Sequence, residues 1–269
     1  RTDQAATLVY AVALDDGDPQ KEVPFRDEVF ELQAPFNGTA KSLIKTVNRI
    51  SRLEWANKNT AIARDQWFSS RNEKTYLFDP SDPGKTPIVL FDRNYQDVYS
   101  DPGSFVKSRN EFGSNVIQMQ KGNAFLVGRG FTKDGQFPFI EKLEFSTEKK
   151  TRIYTSPHAD KKETISDYDP KKNEMITRLE SPKIYPNYYT QNLKSEKVTQ
   201  LTFFQNPFKS IQNVHKEVIK YKREDGIDLS GTLYLPVGYD MESKEKMPMI
   251  MWAYPTEFKD KATAGQNTQ

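Results

Sequence analysis

Histidine is the side chain most often used to take a proton from a serine or cysteine nucleophile, and this sequence offers two, His158 and His215. A nucleophile to go with them is harder to find. There is no cysteine, which removes a thiolate nucleophile, thiolate zinc ligation and disulfides together and leaves the redox compartment open. The string Gly-x-Ser-x-Gly does not occur either, although a serine exposed on a strand-to-helix elbow needs such small neighbours. His158 stands in the turn-forming run Ser156-Pro157-His158-Ala159-Asp160 and His215 opens a strand-like run. Both are expected to be structural or exposed. Asp15, Asp16 and Asp18 around Gly17 are the ligand type of a calcium loop, but the bidentate glutamate that such a loop places at position twelve is missing. A solvated β-turn is the expectation there, and no metal or cofactor is implied.

The elements that would carry such residues are almost all strands. Aromatic and β-branched runs are cut every 8–12 residues or so by Asp, Gly, Asn, Pro or Lys clusters. Thr7–Leu14, Glu28–Gln33, Thr60–Phe68, Thr75–Asp79, Ile88–Asp92 and Asn115–Gln120 read as strands. So do Ala124–Gly128, Phe139–Phe145, Arg152–Ser156, Glu174–Glu180, Tyr188–Leu193 and Val198–Phe203. A strand, polar turn and strand recur as Tyr76–Asp92, Ile140–Ser156 and Tyr188–Phe204, with a looser copy near Leu32. The period is about 45–50 residues, as in propeller blades, apart from one longer interval containing the insertion-like stretch Asp97–Gly113. Four partial blades do not close a propeller, so more blades are expected before Arg1. A free-standing β-sandwich or open sheet is the alternative.

After Asn213 the pattern changes. His215–Lys222 and Leu229–Leu235 flank the turn Arg223-Glu224-Asp225-Gly226, and a charged loop, 240–246, leads into Pro248-Met249-Ile250-Met251-Trp252-Ala253-Tyr254. A continuous apolar run of that length reads as a central strand buried on both faces, as in α/β domains. The expected fold is therefore mainly β: residues 1–213 the C-terminal blades of a β-propeller, about four of them, and residues 214–269 the first strands of an α/β-hydrolase domain.

Composition fits that reading. Only 36% of the 269 residues are apolar, yet 17 Phe, 13 Tyr and 3 Trp are among them, the balance of aromatic strands with polar turns. The 39 basic and 37 acidic side chains are interspersed, which argues against nucleic acid or an anionic membrane as partner. No apolar stretch approaches the roughly 18 residues of a membrane span. The first residue is Arg1, with no leader pattern following it. A soluble protein is expected, periplasmic, secreted or organellar rather than cytoplasmic.

At Glu217–Phe258, EVIKYKREDGIDLSGTLYLPVGYD and then MPMIMWAYPTEF, the residues resemble the opening of the hydrolase domain in the prolyl oligopeptidase family. Arg26–Phe30, Leu90–Ser104 and Gly128–Phe139 resemble the propeller of its glutamyl endopeptidase branch. The resemblance covers the whole chain. It implies a serine peptidase whose propeller caps the hydrolase domain and admits short or unfolded peptides, with Ser, Asp and His acting in that chain order through an acyl-enzyme and lying downstream of Gln269. The partners it implies are a peptide substrate and the rest of the same polypeptide. A fragment of this extent is expected to be inactive alone, and poorly soluble because it exposes a blade edge.

Two residues take a role from the resemblance. Tyr254 matches a tyrosine that, in several members, donates its hydroxyl to the oxyanion of the tetrahedral intermediate, although Ala253 and Thr256 stand where the branch favours Ser and Gly. Arg129, between Gly128 and Gly130, is the candidate cation for an acidic substrate side chain, since a guanidinium suits a carboxylate. Its alternative is a blade-edge arginine paired with a neighbouring acid. Dipeptidyl or acyl-aminoacyl specificity is equally compatible with the sequence, and the alternative to an enzyme is a non-catalytic propeller that binds a partner protein.

Overall fold

The computed structural model describes residues 1–243, 246–254 and 256–266. Most of it consists of four consecutive antiparallel sheets. Blade one holds β1 (Thr7–Ala13), β2 (Asp27–Gln33) and β3 (Lys41–Thr46), and blade two β4 (Arg49–Asn57), β5 (Thr60–Trp67), β6 (Asn72–Phe78) and β7 (Ile88–Asn94). Blade three contains β8 (Ser104–Phe105), β11 (Asn123–Gly128), β14 (Phe139–Glu144) and β15 (Lys150–Thr155). Two small hairpins interrupt it, β9 (Lys107–Arg109) with β10 (Asn115–Ile117) and β12 (Phe131–Thr132) with β13 (Gly135–Gln136). Blade four is β16 (Lys162–Asp169), β17 (Glu174–Ser181), β18 (Ile184–Asn192) and β19 (Val198–Gln200). Within each blade every strand pairs with the next member in chain order, the up-and-down meander of a propeller blade.

Alternation along the central strands explains why the sheets stack. In β5, Ala61 and Ala63 face one way and Ile62 the other. The alanines join Val29, Leu43, Ile44, Trp55, Tyr76 and Phe78 in the core between blades one and two. Ile62 joins Phe105, Ile117, Ala124, Leu126, Leu143 and Phe145 between blades two and three. Phe125, on the opposite face of β11 from Ala124 and Leu126, packs with Ile140, Ile165, Tyr168 and Met175 between blades three and four. Three cores thus fill three inter-blade gaps, and each blade is stable only against its neighbours. The outer face of blade one, with Leu8 at 51% and Val12 at 42% exposure, and the end of blade four, with Phe203 at 71%, stay open to solvent.

The recurring turns of the sequence are the turns before the outermost strands: β6–β7, β14–β15, β18–β19 and, loosely, β2–β3. The longer interval has a different cause from the one expected. Asp97–Gly113 is not simply an insertion, because β8 lies inside it and pairs with Leu126 and Val127 of β11. The extra length comes from the two small hairpins.

Past residue 213, β20 (His215–Lys222) and β21 (Asp228–Leu235) form a two-stranded sheet in continuous register from His215↔Leu235 to Lys222↔Asp228. The expected buried strand does not form. Residues 246–254 adopt no strand, and Ile250 is 97% and Trp252 88% exposed. An apolar run becomes a buried strand only with neighbours on both edges and both faces, and no strand among the described residues pairs with it. The only α-helix among the described residues is one turn, Lys261–Ala264, and none is long and apolar enough to cross a membrane.

Candidate functional site

The first strands of blades two, three and four border a common cleft of about 550 Å³, lined by Arg52 and Glu54 of β4, Ser104 and Phe105 of β8, and Glu163 to Tyr168 of β16. Its charges are placed in pairs. Glu54 is buried and accepts from Lys107 Nζ at 2.8 Å, with Arg64 Nε 3.6 Å away. Glu163, also buried, accepts from the Tyr154 hydroxyl at 2.8 Å. That bond, together with burial, raises the Tyr154 pKa above the usual phenol value, burial being the larger cause. Arg52 has no ion-pair partner among the described residues and is exposed to the cleft.

Arg129 lines the same cleft. Its side chain is 64% exposed, its guanidinium lies 5.0 Å from the Phe131 ring centroid, and Asp101 Oδ2 is 3.7 Å from Nη2. At that separation the aspartate is a neighbouring charge and not a hydrogen-bonded partner, so the donor fork is open to a ligand. The two flanking glycines do not free the backbone; they fix it. A Cβ on Gly128 would stand 2.2 Å from the Phe139 ring, and one on Gly130, which has φ +65°, would stand 1.8 Å from the Phe137 carbonyl oxygen. Only glycine allows these approaches.

Tyr254 is 84% exposed. Its successor in the YP-x-EF loop, Pro255, lies outside the described residues, and between residues 257 and 266 the chain is held against blade two and the loop that follows it. There Glu257 receives the Arg71 guanidinium at 2.7 Å. Arg129 and Tyr254 line no common pocket among the described residues. Neither histidine lines the cleft: His215 is exposed beside Glu217, at 3.2 Å, and His158 is half-buried in the irregular segment between β15 and β16.

The aspartate turn differs from its expectation. Asp16 and Asp18 are solvated, but Asp15 is fully buried, held by Arg49 Nη2 at 2.5 Å, by Arg26 Nη1 at 2.7 Å and by the Gly17 amide at 3.0 Å. The two guanidiniums, Arg49 foremost, hold its pKa down at about 2. Its anionic demand is met by arginine, and no three acidic or histidine side chains among the described residues are grouped as metal ligands. Arg52, Glu54, Arg71 and Glu257 were not singled out in the sequence. They are isolated charges in polar strands and turns: Glu54 gains Lys107 from the neighbouring blade, Arg71 gains Glu257 from the C-terminal segment, and Arg52 gains no ion-pair partner among the described residues.

No family model matches the chain. Two curated proteins do. Over 99% of its length the chain is 33% identical to "Probable glutamyl endopeptidase, chloroplastic" of Oryza sativa subsp. japonica, and again over 99% it is 34% identical to the protein of the same name from Arabidopsis thaliana. Along nearly its whole length the chain is similar to part of a glutamyl endopeptidase. It spans about 30% of the length of these relatives, 30% and 29% respectively. Among solved structures, oligopeptidase B from Trypanosoma brucei superposes with a TM-score of 0.46 at 15% identity, over 89% of this chain and 33% of that one.

Proposed function

We propose that this chain is the propeller-bearing part of a serine peptidase that hydrolyses short or unfolded peptides. The observation that supports it is the alignment of 99% of the chain with two glutamyl endopeptidases at 33–34% identity. In this reading residues 1–213 belong to the propeller and 214–269 open the hydrolase domain, whose Ser, Asp and His come from the rest of the polypeptide. The serine attacks the substrate carbonyl, the histidine takes its proton and returns it to the leaving amine, and water then hydrolyses the acyl-enzyme.

Tyr254 donates its hydroxyl to the oxyanion of the tetrahedral intermediate, a contribution of roughly 2.7–4 kcal/mol for a preorganised donor. Its exposure here leaves the hydroxyl open to such a ligand. Arg129, with an open fork on the cleft wall, takes the acidic side chain of the substrate. The compartment is periplasmic, secreted or organellar, and the partners are the peptide and the remaining polypeptide, without nucleic acid or membrane.

The test is steady-state hydrolysis by the full-length protein of matched peptides with Glu, Gln or Lys before the scissile bond. The reading expects Glu to be preferred, and Arg129→Ala to raise KM for Glu substrates while leaving Gln substrates unchanged. Equal turnover of all three would remove the acidic specificity, and no hydrolysis at all would favour the non-catalytic interaction module.

A further inference from the structure

Arg71 occupies the turn between β5 and β6 in a conformation that side chains other than glycine seldom adopt, φ +59°. It is also buried, with 4% exposure. Its guanidinium lies 3.7 Å from the Phe68 ring centroid, Nη1 donates to the Phe68 carbonyl at 2.6 Å, and Nη2 donates to Glu257 Oε1 at 2.7 Å. Glu257 is the only carboxylate among the described residues within ion-pair distance of it. A buried cation without its counter-ion is strongly unfavourable, so the burial of Arg71 makes sense when residue 257 is docked. Its positive φ belongs to the hairpin turn itself, as at Glu148, Asn173 and Glu196 in three other hairpin turns.

The docking does not rest on one pair. The Gln96 carboxamide brackets the same segment, with Nε2 donating to the Glu257 carbonyl at 2.5 Å and Oε1 accepting from the Lys259 amide at 3.0 Å. Lys259 Nζ reaches the Ser69 carbonyl in the Arg71 turn. Further along, Gln266 donates to Asp97 at 2.6 Å and accepts from the Val98 amide at 2.8 Å. The two turns that make these contacts are themselves joined, since the Tyr95 amide donates to the Arg71 carbonyl at 2.8 Å. One edge of blade two therefore grips a segment about 160–190 residues away in sequence (|i−j| from 161 to 190).

Tyr254 stands three positions before Glu257. An extended chain covers at most about 3.6 Å per residue, so fixing Glu257 confines Tyr254 to within roughly 11 Å of the latch. The exposed run upstream, with Met251 at 80% and Trp252 at 88% exposure, offers no comparable restraint. We infer that blade two, through Arg71, Gln96 and Glu257, is the positioning element for Tyr254. It fixes the loop that aims the hydroxyl at the oxyanion, and couples the seating of the propeller to the hydrolytic step. Arg71 and Gln96 are positioning residues, touching no substrate, and the inference rests on the oxyanion reading of Tyr254.

The test uses the full-length protein and four variants: Tyr254→Phe, Glu257→Gln, Gln96→Ala and the double variant Tyr254→Phe with Glu257→Gln. A mis-aimed donor should lower kcat on the order of 10- to 100-fold with KM nearly unchanged. Glu257→Gln and Gln96→Ala are expected to do so. In the Tyr254→Phe background Glu257→Gln should cause no further loss, because there is no hydroxyl left to aim. Losses that multiply in the double variant, or unchanged kcat in both single latch variants, would overturn the latch while leaving the oxyanion reading intact. Unchanged kcat in Tyr254→Phe would remove the oxyanion reading itself, and the inference with it. Should Glu257→Gln fail to fold, Gln96→Ala, which keeps the ion pair, carries the comparison, alone and as a fifth variant combined with Tyr254→Phe.

Discussion

Asp65 offers the sharpest test of how the blades are held. Its carboxylate is fully buried in β5 with no salt bridge among the described residues, and four donors converge on it: the Asn48 amide at 2.9 Å, Asn48 Nδ2 at 3.0 Å, the Lys74 amide at 3.1 Å and the Tyr76 hydroxyl at 2.8 Å. It ties the start of β4 to β5 and β6. In Asp65→Ala, Asn48 Nδ2 keeps Asn72 Oδ1 at 2.9 Å, but two backbone amides and the hydroxyl lose their acceptor. An orphaned buried polar group costs about 1–3 kcal/mol. Three of them, partly relieved by water entering, give roughly 3–6 kcal/mol, which is much of the 5–15 kcal/mol stability of a typical domain. Tyr76→Phe removes a single donor, leaves three on the carboxylate, and should cost about 1–2 kcal/mol. Urea unfolding followed by the fluorescence of Trp55 and Trp67 measures both, and hydrogen exchange at the Asn48 and Lys74 amides should rise in Asp65→Ala alone. A loss below about 1 kcal/mol in Asp65→Ala, or equal losses in the two variants, would refute the convergence of donors as the source of stability.

Further outcomes follow from charge and sterics. Asp15 has its pKa depressed to about 2, so its stabilising contribution is complete above the unfolded carboxylate value near 3.9 and is lost as pH falls towards 2. Acid unfolding of wild type should show that window, and Asp15→Asn, destabilised at neutral pH, should show a flatter one. The Tyr76 and Tyr154 hydroxyls are raised by burial first and by their carboxylate partners second. The stability they add is present below the ordinary phenol pKa of about 10 and is lost above it, so their absorbance at 295 nm should appear only with alkaline unfolding. Gly130→Ala, with its Cβ driven to 1.8 Å from a carbonyl oxygen, should cost several kcal/mol, whereas Gly113→Ala, at φ +70° with open space around it, should cost only about 1–2 kcal/mol of backbone strain. Thermal melts of the two variants compare them directly.

The strands legible in the sequence and those missed differ by their place in the blade. Central strands such as β5 and β11 are apolar on both faces, and the outer hairpins carry turn signals, so both were readable. The missed strands β4 and β16 are the first strands of their blades and border the cleft. Arg52 and Glu54, or Lys162, Asp167 and Asp169, make them read as loops. β3 and β8 were missed for shortness or polarity. Met247–Tyr254 went the other way: its composition specifies a buried strand, but burial needs partner strands that the described residues do not supply. Arg129 was found only through the family resemblance, and the fixing role of its two glycines appears only when Phe137 and Phe139 are in place. The Arg71–Glu257 contact left no trace in the sequence, because its members are separated by 186 positions and the YP-x-EF string that holds Glu257 does not point to Arg71 as its partner.

The central claim is that this chain is part of a serine peptidase. Reaction of the purified full-length protein with a fluorophosphonate, followed by intact mass and peptide mapping, tests it most directly, since that probe forms a bond only with an activated nucleophile. The account predicts one stoichiometric adduct, on a serine outside residues 1–269, blocked by prior incubation with a substrate peptide. A folded protein that takes up no label, or labels only within these residues, would contradict it.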